Sequence, residues 1–342
     1  MAPLFTIGIA SYNYAKYITK ELDAIRRQTF KDYEVLISDD HSTDNSVEVI
    51  KKYMLDYPEM NIRLIESAEN RGLVENKNCL IENCIGKYLM ICDADDWMSD
   101  DCLSLMADVI EKDDPDRVIG EVAHIDEEGR IIQVEEPPYY QTKWGWNIHH
   151  GSVCRTSILR EHGIKIYGEI DDVYYTVEIA KYCKKISYIR EVVYYWLVHL
   201  DSEGRKNSFF SVEQIVQRHM NVLEFFQNTI QFIEKGQDNY TEQDVEELRL
   251  VKMKMYYFAI LFIAQNLRLN EKYLFYRNLH TKMLSLDQNY LKNKYLFFTR
   301  EKRLRPYALC AIKICVILEK LRIMKLGIFG YHMISKIKYF DQ

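Results

Sequence analysis

The sequence lacks the cysteine spacing of a zinc site. Its eight cysteines include no C-x-x-C pair, and several lie inside apolar runs, where a free thiol behaves as a small hydrophobic side chain. This spacing argues against a zinc-finger type of metal site. Free thiols are simplest to reconcile with a reducing, cytoplasmic setting, which we therefore expect for this chain.

Long apolar runs and repeats are also missing. No stretch reaches the roughly 18 uninterrupted apolar residues that a membrane-spanning helix needs, and no internal repeat or low-complexity segment is evident. The first predicted strand follows Pro3 almost at once, so we expect no signal peptide. These features are typical of a globular protein with no membrane span.

Net positive charge is missing except near the end of the sequence. The net charge is −6, but residues 301–342 carry +6 and the preceding residues carry −12. An acidic body argues against nucleic acid as the main partner. A basic and apolar tail points instead to an anionic surface.

The first 115 residues alternate short apolar segments with segments of helical periodicity. Strands are predicted over residues 4–10, 33–38, 61–65 and 87–92, with helices between them. Strands separated by single helices form βαβ units. The pattern therefore predicts an α/β fold with a doubly wound, mostly parallel sheet.

The pattern changes after Pro115. A hairpin is predicted over residues 117–134 and a further strand over residues 186–196, and the sequence then has a helical pattern from Ser211 to its end. We therefore divide the chain into a domain of residues 1–205 and a C-terminal helical region of residues 206–342.

An acidic cluster follows the most apolar of the predicted strands. The segment Lys87–Trp97 begins as an apolar run and ends in three carboxylates within four residues. Asp93 and Asp95 are two residues apart, so an extended chain points both side chains to one face. Carboxylates at the carboxyl end of such a strand face the crevice in which open α/β sheets bind ligands. Such a pair suits Mg²⁺ or Mn²⁺ together with substrate phosphates, although an acidic helix cap explains an isolated Asp-x-Asp equally well.

Five short motifs together resemble the family 2 inverting glycosyltransferases, which have the GT-A fold and use nucleotide sugars. The motifs are Ile9-Ala10-Ser11-Tyr12-Asn13, Ser38-Asp39-Asp40-His41-Ser42-Thr43-Asp44, Asn70-Arg71-Gly72 with Lys77-Asn78, Asp93-Ala94-Asp95-Asp96, and Asp171-Asp172. Each motif is weak alone, but their order and spacing match the family over roughly residues 3–200. The resemblance does not extend into the helical region.

The resemblance implies a role for individual residues. The residues implied to bind the nucleotide sugar are Ala10, Tyr12, Asp40, Lys77 and Asp93. Ala10 and Tyr12 would lie against the base, Asp40 would accept a hydrogen bond from uracil or its equivalent, and Asp93 would hold the ribose. Lys77 stands where the family usually has Arg, so its contact with the base and phosphates would be less directional.

The resemblance also implies a metal ligand and a catalytic base. Asp95 would coordinate Mn²⁺ or Mg²⁺ at the diphosphate, and Asp172 would be the general base. The family has Glu-Asp where this chain has Asp171-Asp172, so Asp171 and Glu169 remain alternatives for the base. Displacement at an anomeric carbon needs one carboxylate to take the acceptor's proton, and a cation to offset charge on the leaving diphosphate.

Three further residues are left outside the catalytic set. His149 and His150 could line an acceptor pocket or be ordinary loop histidines. Arg205 could touch the diphosphate or simply be solvated.

We expect an inverting glycosyltransferase that moves a sugar, most simply from a UDP-sugar, to a hydroxyl of a glycan or of a lipid-linked saccharide. The alternative is an inert relative that binds a nucleotide sugar or a partner transferase. A nucleotidyltransferase would instead have a glycine-rich, basic loop after the first strand, and Ser11-Tyr12-Asn13 is not such a loop.

The basic tail carries one more expectation. Between Arg303 and Phe340, apolar residues alternate with Lys and Arg, as in a helix that lies in the headgroup layer of an anionic membrane. We therefore expect a cytoplasmic protein that is peripheral on the inner membrane face. The alternative is a basic helix packed on the acidic body.

Overall fold

The computed structural model describes residues 2–136, 144, 148–168, 171–199, 211–236, 240–261, 263–292 and 306–338. The chain divides into two compact units, Met1–Arg205 and Lys206–Gln342. Within the described ranges, every strand belongs to the first unit.

The first unit is built on one mixed sheet of nine strands in the order β3-β2-β1-β4-β8-β6-β9-β5, with β7 paired to β6. The strands are β1 (Phe5–Ser11), β2 (Tyr33–Asp39), β3 (Ile62–Glu66), β4 (Tyr88–Asp93), β5 (Trp97–Met98), β6 (Arg117–Ile125), β7 (Ile131–Glu135), β8 (Ser152–Arg155) and β9 (Ile186–Leu197). Neighbours among β1–β4 run parallel, whereas β8 lies antiparallel between β4 and β6. The parallel half is the part that the alternating sequence pattern predicts.

Helices cover both faces of this sheet. They are α1 (Ile18–Arg27), α2 (Ser46–Asp56), α3 (Leu73–Asn83), α4 (Cys102–Asp113), α5 (Thr156–Glu161) and α6 (Asp171–Tyr182). Apolar residues of α1, α2 and α4 form one core with Ile7 and Ile9 of β1. Residues of α3, α5 and α6 form a second core with Ala10 of β1. Because β1 is buried on both faces, its apolar residues do not alternate with polar ones.

Glycine at position 8 lets α3 approach the sheet closely. A Cβ built there would lie 3.3 Å from two side-chain atoms of Leu80 on α3. The helix is therefore packed directly behind the strand that leads to the polar turn Ser11–Asn13.

The second unit is helical. Its helices are α7 (Val212–Lys235), α8 (Glu242–Leu261), α9 (Leu269–Leu286), α10 (Pro306–Lys320) and α11 (Met324–Lys338). Ser211 caps α7: its hydroxyl accepts a hydrogen bond from the Gln214 backbone N–H, and the Gln214 side chain accepts one from the Ser211 N–H. None of the helices in the described ranges is both long and apolar enough to cross a membrane.

Candidate active site

The site lies where the first, second and fourth strands end. In the sheet register, Ala10 of β1 is opposite Ser38 of β2 on one side and opposite Asp93 of β4 on the other. Ala10 is buried, whereas Tyr12 in the next turn is exposed. The structure thus brings the predicted residues Ala10, Tyr12 and Asp93 to one edge of the sheet, as expected for parallel strands.

Asp40, the next predicted residue, is engaged by a loop of the protein. Its carboxylate accepts hydrogen bonds from the backbone N–H groups of Arg71, at 2.9 Å, and Gly72, at 2.7 Å. Gly72 has φ +88°, a conformation that favours glycine at the start of α3. Asp40 therefore fixes the loop before α3, and its contact with a nucleotide base stays a prediction.

Lys77 joins two acidic clusters that are far apart in the sequence. Its Nζ lies 3.2 Å from Asp93 Oδ1 and 3.0 Å from Asp171 Oδ2, and the side chain is only 2% exposed. Burial alone would lower the pKa of Lys77, but the carboxylates of Asp93, Asp171 and Asp172 outweigh it and raise that pKa. The lysine is therefore charged, and it holds the N-terminus of α6 near the end of β4.

Two buried histidines make a second connection between these clusters. His150 Nε2 lies 3.0 Å from Asp93 Oδ2, and His149 Nδ1 contacts Asp172 Oδ1. Burial lowers the pKa of both rings, but the hydrogen bond and charge of Asp93 raise the pKa of His150 to about 9. For His149, burial and the nearby Lys77 prevail, and its pKa is lowered. The pair thus consists of a charged His150 beside Asp93 and a neutral His149 beside Asp172.

The backbone around the histidines explains how they reach the site. The segment ends at Gly151, which has φ +61°, and a Cβ there would lie 2.9 Å from Val122. The Ser152 hydroxyl donates a hydrogen bond to the His149 carbonyl, at 2.7 Å. The tight turn into β8 therefore directs both rings at the neighbouring end of β4.

The remaining two carboxylates of the β4 cluster have different partners. Asp96 Oδ1 accepts a hydrogen bond from the Leu197 backbone N–H at 2.8 Å, which joins the cluster to β9. Asp95 Oδ2 lies 2.8 Å from His199 Nε2. Burial and the charge of Asp93 raise the pKa of Asp95. Asp95 is therefore a carboxylate whose negative charge a bound cation would stabilise.

The site offers two groups of metal-ligand atoms. Asp93, His149 and His150 present ligand atoms within 4.8 Å of one another. Lys77 already neutralises Asp93, however, and a protonated His150 cannot donate a lone pair to a metal. Asp95 and His199 present a carboxylate oxygen and a ring nitrogen 2.8 Å apart, and both are ligand types that a divalent ion accepts.

Most of the predicted residues converge, and the structure adds partners that the sequence did not reveal. Asp171 and Asp172 open α6 and face the β4 cluster through Lys77 and His149. Glu169, an alternative for the base, and Arg205, a candidate contact of the diphosphate, lie outside the described residues. The contacts that His149 and His150 make in the site were not predicted, and neither was the contact of His199 with Asp95. The only sequence signal of these histidines was that they lie near polar or aromatic segments.

With this geometry in view, residues 6–163 match the model of glycosyl transferase family 2. This chain carries a family 2 glycosyltransferase domain. The predicted family is thereby confirmed, and the domain includes the β1, β2 and β4 ends together with both histidines.

Relatives resemble this chain in sequence, and solved structures resemble it in fold. Glycosyltransferase GlyG of Streptococcus pneumoniae is 29% identical over 127 residues, which are 37% of this chain and 42% of GlyG. The chain therefore spans less than half of the length of this relative. Staphylococcus aureus TarS (residues 1–349) in complex with UDP-GlcNAc superimposes with a TM-score of 0.65 at 15% identity, covering 99% of this chain and 92% of that one.

A second solved structure has the same fold. The mannosyltransferase PcManGT of Pyrobaculum calidifontis, in complex with GDP-Man and Mn²⁺, superimposes with a TM-score of 0.51 at 18% identity, covering 94% of this chain and 88% of that one. These likenesses confirm the predicted α/β GT-A fold with its C-terminal helices.

Proposed function

We propose that this protein transfers a sugar, with inversion, from a UDP-sugar to a hydroxyl of a glycan or of a lipid-linked saccharide. The observation that carries the proposal is the double link, through Lys77 and His149, between the carboxylates at the end of β4 and those at the start of α6. A direct displacement needs acidic groups on both sides of the reacting carbon, and this link brings two such groups together. UDP is favoured because the TarS structure, which superimposes over 99% of this chain, contains UDP-GlcNAc.

The donor is proposed to lie over the ends of β1, β2 and β4. Tyr12 is exposed and can stack on the base, beside Ala10. Asp40 is proposed to contact the base while it fixes the loop before α3. Asp93 is proposed to hold the ribose, and Lys77 fixes the orientation of its carboxylate.

Asp172 is proposed to take the proton of the acceptor. Burial would raise its pKa, but His149 and Lys77 outweigh burial and keep that pKa low, so the group is an ionised carboxylate at neutral pH. Its side chain is 24% exposed and can reach a bound hydroxyl. As the acceptor oxygen bonds to the anomeric carbon, its proton passes to Asp172, and the bond to the diphosphate breaks on the opposite face.

His149 and Asp171 are proposed to position this base. A neutral His149 with its proton on Nδ1 donates a hydrogen bond to Asp172 and fixes one carboxylate oxygen. Asp171 forms an ion pair with Lys77, and this pairing favours Asp172 as the base.

Asp95 and His199 are proposed to hold Mn²⁺ or Mg²⁺. Their ligand atoms lie 2.8 Å apart, and the raised pKa of Asp95 shows a carboxylate whose charge a cation would stabilise. When bound, the ion supplies positive charge for the leaving diphosphate. PcManGT, which superimposes over 94% of this chain, was solved with Mn²⁺. The proposed partners are thus a nucleotide-sugar donor, a divalent cation and a saccharide acceptor, in a cytoplasmic setting and without nucleic acid.

The proposal is tested by screening UDP-sugars and GDP-sugars for hydrolysis and for transfer, with Mn²⁺, with Mg²⁺ and with a chelator. We expect turnover of a UDP-sugar that depends on the cation. Asp95→Ala should abolish it, because a metal ligand is lost. Asp100→Ala removes an exposed carboxylate of the following loop, which pairs with Arg27, and should leave turnover unchanged.

Two outcomes would contradict the proposal. Turnover that survives both the chelator and Asp95→Ala would remove the metal from the mechanism. Binding of nucleotide sugars without turnover of any of them, over a range of saccharide acceptors, would instead identify an inert binding protein.

A further inference from the structure

Helix α10 exposes a stripe of apolar residues. Its buried residues lie on one face and are Ile312, Cys315, Val316 and Glu319. The exposed residues on the opposite face, with the residue just after the helix, are Cys310, Ile314, Ile317 and Leu321. At 3.6 residues per turn, these exposed residues fall within about 60° of one another around the helix. Leu321 is 62% exposed and Ile314 is 55% exposed, so none of the described residues of the second unit covers this stripe.

Helix α11 repeats the arrangement. Met324, Ile328 and His332 are buried on one face, whereas Leu326, Phe329 and Met333 are exposed on the opposite one. Leu326 is 67% exposed. The connection between the helices adds exposed Ile323. We call the exposed apolar residues of 310–333 the hairpin face.

The charges around the hairpin face have one sign. The exposed charged residues between positions 310 and 333 are Lys320, Arg322 and Lys325. The one acidic residue of this segment, Glu319, is buried and accepts hydrogen bonds from Tyr256 and Tyr257. On the helical wheel, Lys320 and Lys325 lie at the edge of the apolar stripes, where long side chains can extend a charge away from an apolar surface.

We propose that the hairpin face docks on the surface of an anionic lipid bilayer. Exposed apolar stripes edged by lysine and arginine match an interface of acyl chains and anionic headgroups, with the helices in its plane. A second copy of this chain fits less well, because a symmetric contact would oppose the same cations. The proposal is independent of the transfer reaction.

The test is flotation of the full chain with vesicles of phosphatidylcholine alone or mixed with phosphatidylglycerol. We expect binding to the mixed vesicles only. Lys320→Gln/Arg322→Gln/Lys325→Gln should weaken partitioning about 100-fold, since each basic residue near such a surface contributes about fivefold. The charge-conserving variant Lys320→Arg/Arg322→Lys/Lys325→Arg should bind like the unmodified chain.

The apolar part is tested by Ile317→Ser/Leu326→Ser/Phe329→Ser, which should weaken binding by at least about tenfold. Its matched control is Ile131→Ser/Ile132→Ser on β7, which changes two exposed isoleucines of the first unit and should have no effect. Circular dichroism and the Tm of each variant establish that it is folded.

Three results would overturn the proposal. They are equal binding to neutral vesicles, no binding to either kind, and a triple serine variant that floats like the unmodified chain. A concentration-dependent dimer that the serine variant dissociates, without vesicle binding, would identify the hairpin face as a self-association surface.

Discussion

Asp171 and Asp172 are adjacent in the sequence but have different partners. Asp171 pairs with the charged Lys77, whereas Asp172 contacts the neutral His149. A carboxylate held by a buried ammonium is poorly placed to take a proton, because protonation of Asp171 would remove one of the two carboxylates that compensate the charge of Lys77. This difference, which the sequence cannot show, is the reason for choosing Asp172 as the proposed base.

Replacing the two carboxylates separately tests that choice. Asp172→Asn keeps the shape of the side chain but cannot take a proton, so we expect kcat to fall by about 10²–10⁴-fold with little change in UDP binding. Asp171→Asn should act mainly on donor affinity, through Lys77 and Asp93. Steady-state kinetics and calorimetric UDP titration measure the two effects.

The opposite effects of the two variants would assign the base to Asp171. If Asp171→Asn loses turnover with normal UDP binding while Asp172→Asn remains active, the base is the first residue of the pair. Normal turnover in both variants would exclude this segment as the source of the base.

Sequence motifs identify candidate residues of the site, but not the partners of those residues. Asp93 and Asp172 stand in recognisable motifs, and their roles stay predictions. The contacts of Lys77 and of His149 with them span many residues, and no local periodicity encodes such contacts. Lys77 is buried between Asp93 and Asp171, and its contact with the base and phosphates stays a prediction.

At the scale of elements, the local sequence pattern predicts strands best where a run of apolar residues is uninterrupted. The apolar run before Asp93 forms β4, and the predicted hairpin forms β6 and β7. The four-residue strand β8 was not predicted, since its identity as a strand depends on pairing with both β4 and β6. That strand begins two residues after His150, and the sequence offered His149 and His150 only as acceptor-pocket candidates or loop histidines.

Helix α10 is anchored by a buried carboxylate that neither the motifs nor the site explains. Glu319 accepts hydrogen bonds from Tyr256 at 2.5 Å and Tyr257 at 2.7 Å, both on α8, and from Tyr290. His280 Nδ1 lies 3.4 Å away. Hydrogen bonds to a charged acceptor stabilise more than neutral ones, so this cluster should hold α10 against α8 and α9.

We expect Glu319→Gln to lower the free energy of unfolding by about 2 kcal/mol, because the charged acceptor of several hydroxyl groups is lost. Glu224→Gln provides the matched control: it removes a half-exposed carboxylate that pairs with Lys282 on the surface, and should cost less than about 1 kcal/mol. Urea unfolding followed by circular dichroism measures both. Equal costs for the two variants would show that the tyrosine cluster does not anchor α10.

At the scale of the whole molecule, the chain divides into the compact units Met1–Arg205 and Lys206–Gln342. The first unit alternates strands with helices, whereas the second contains only helices among its described residues. The domain assignment of residues 1–205 and 206–342 from composition and periodicity stays a prediction. The function assigned to each unit remains a proposal.

Glu21 of the first unit and Glu319 of the second are both buried, and pH should act on the two in opposite directions. Burial raises the pKa of Glu21, on α1, from 4.5 to about 8, and contacts with Cys92 and Met98 offset only part of this. In the second unit, burial would also raise the pKa of Glu319, but His280 and the tyrosine hydroxyls outweigh it and lower that pKa below 4.5.

The signs of these shifts predict how stability changes with pH. Folded Glu21 keeps its proton at pH values where the unfolded chain has lost it, so the contribution of this group to the stability of the first unit should fall by about 1.4 kcal/mol per pH unit as the pH rises from 4.5 to about 8. Folded Glu319 stays ionised below the pH at which the unfolded chain takes up a proton. Its contribution is therefore present above pH 4.5 and is lost as the pH falls through its folded pKa.

Thermal unfolding of Glu21→Gln, of Glu319→Gln and of the double variant, followed across this pH range, tests the prediction. Glu21→Gln introduces a neutral side chain of similar size. The decline in Tm above pH 4.5 should therefore become shallower in that variant, while the change in Tm below pH 4.5 stays the same. Glu319→Gln should instead flatten the acid side. The two glutamates share no partner among the described contacts, so the shifts in the double variant should add. A decline above pH 4.5 that persists undiminished in Glu21→Gln would show that another group controls the stability of the first unit.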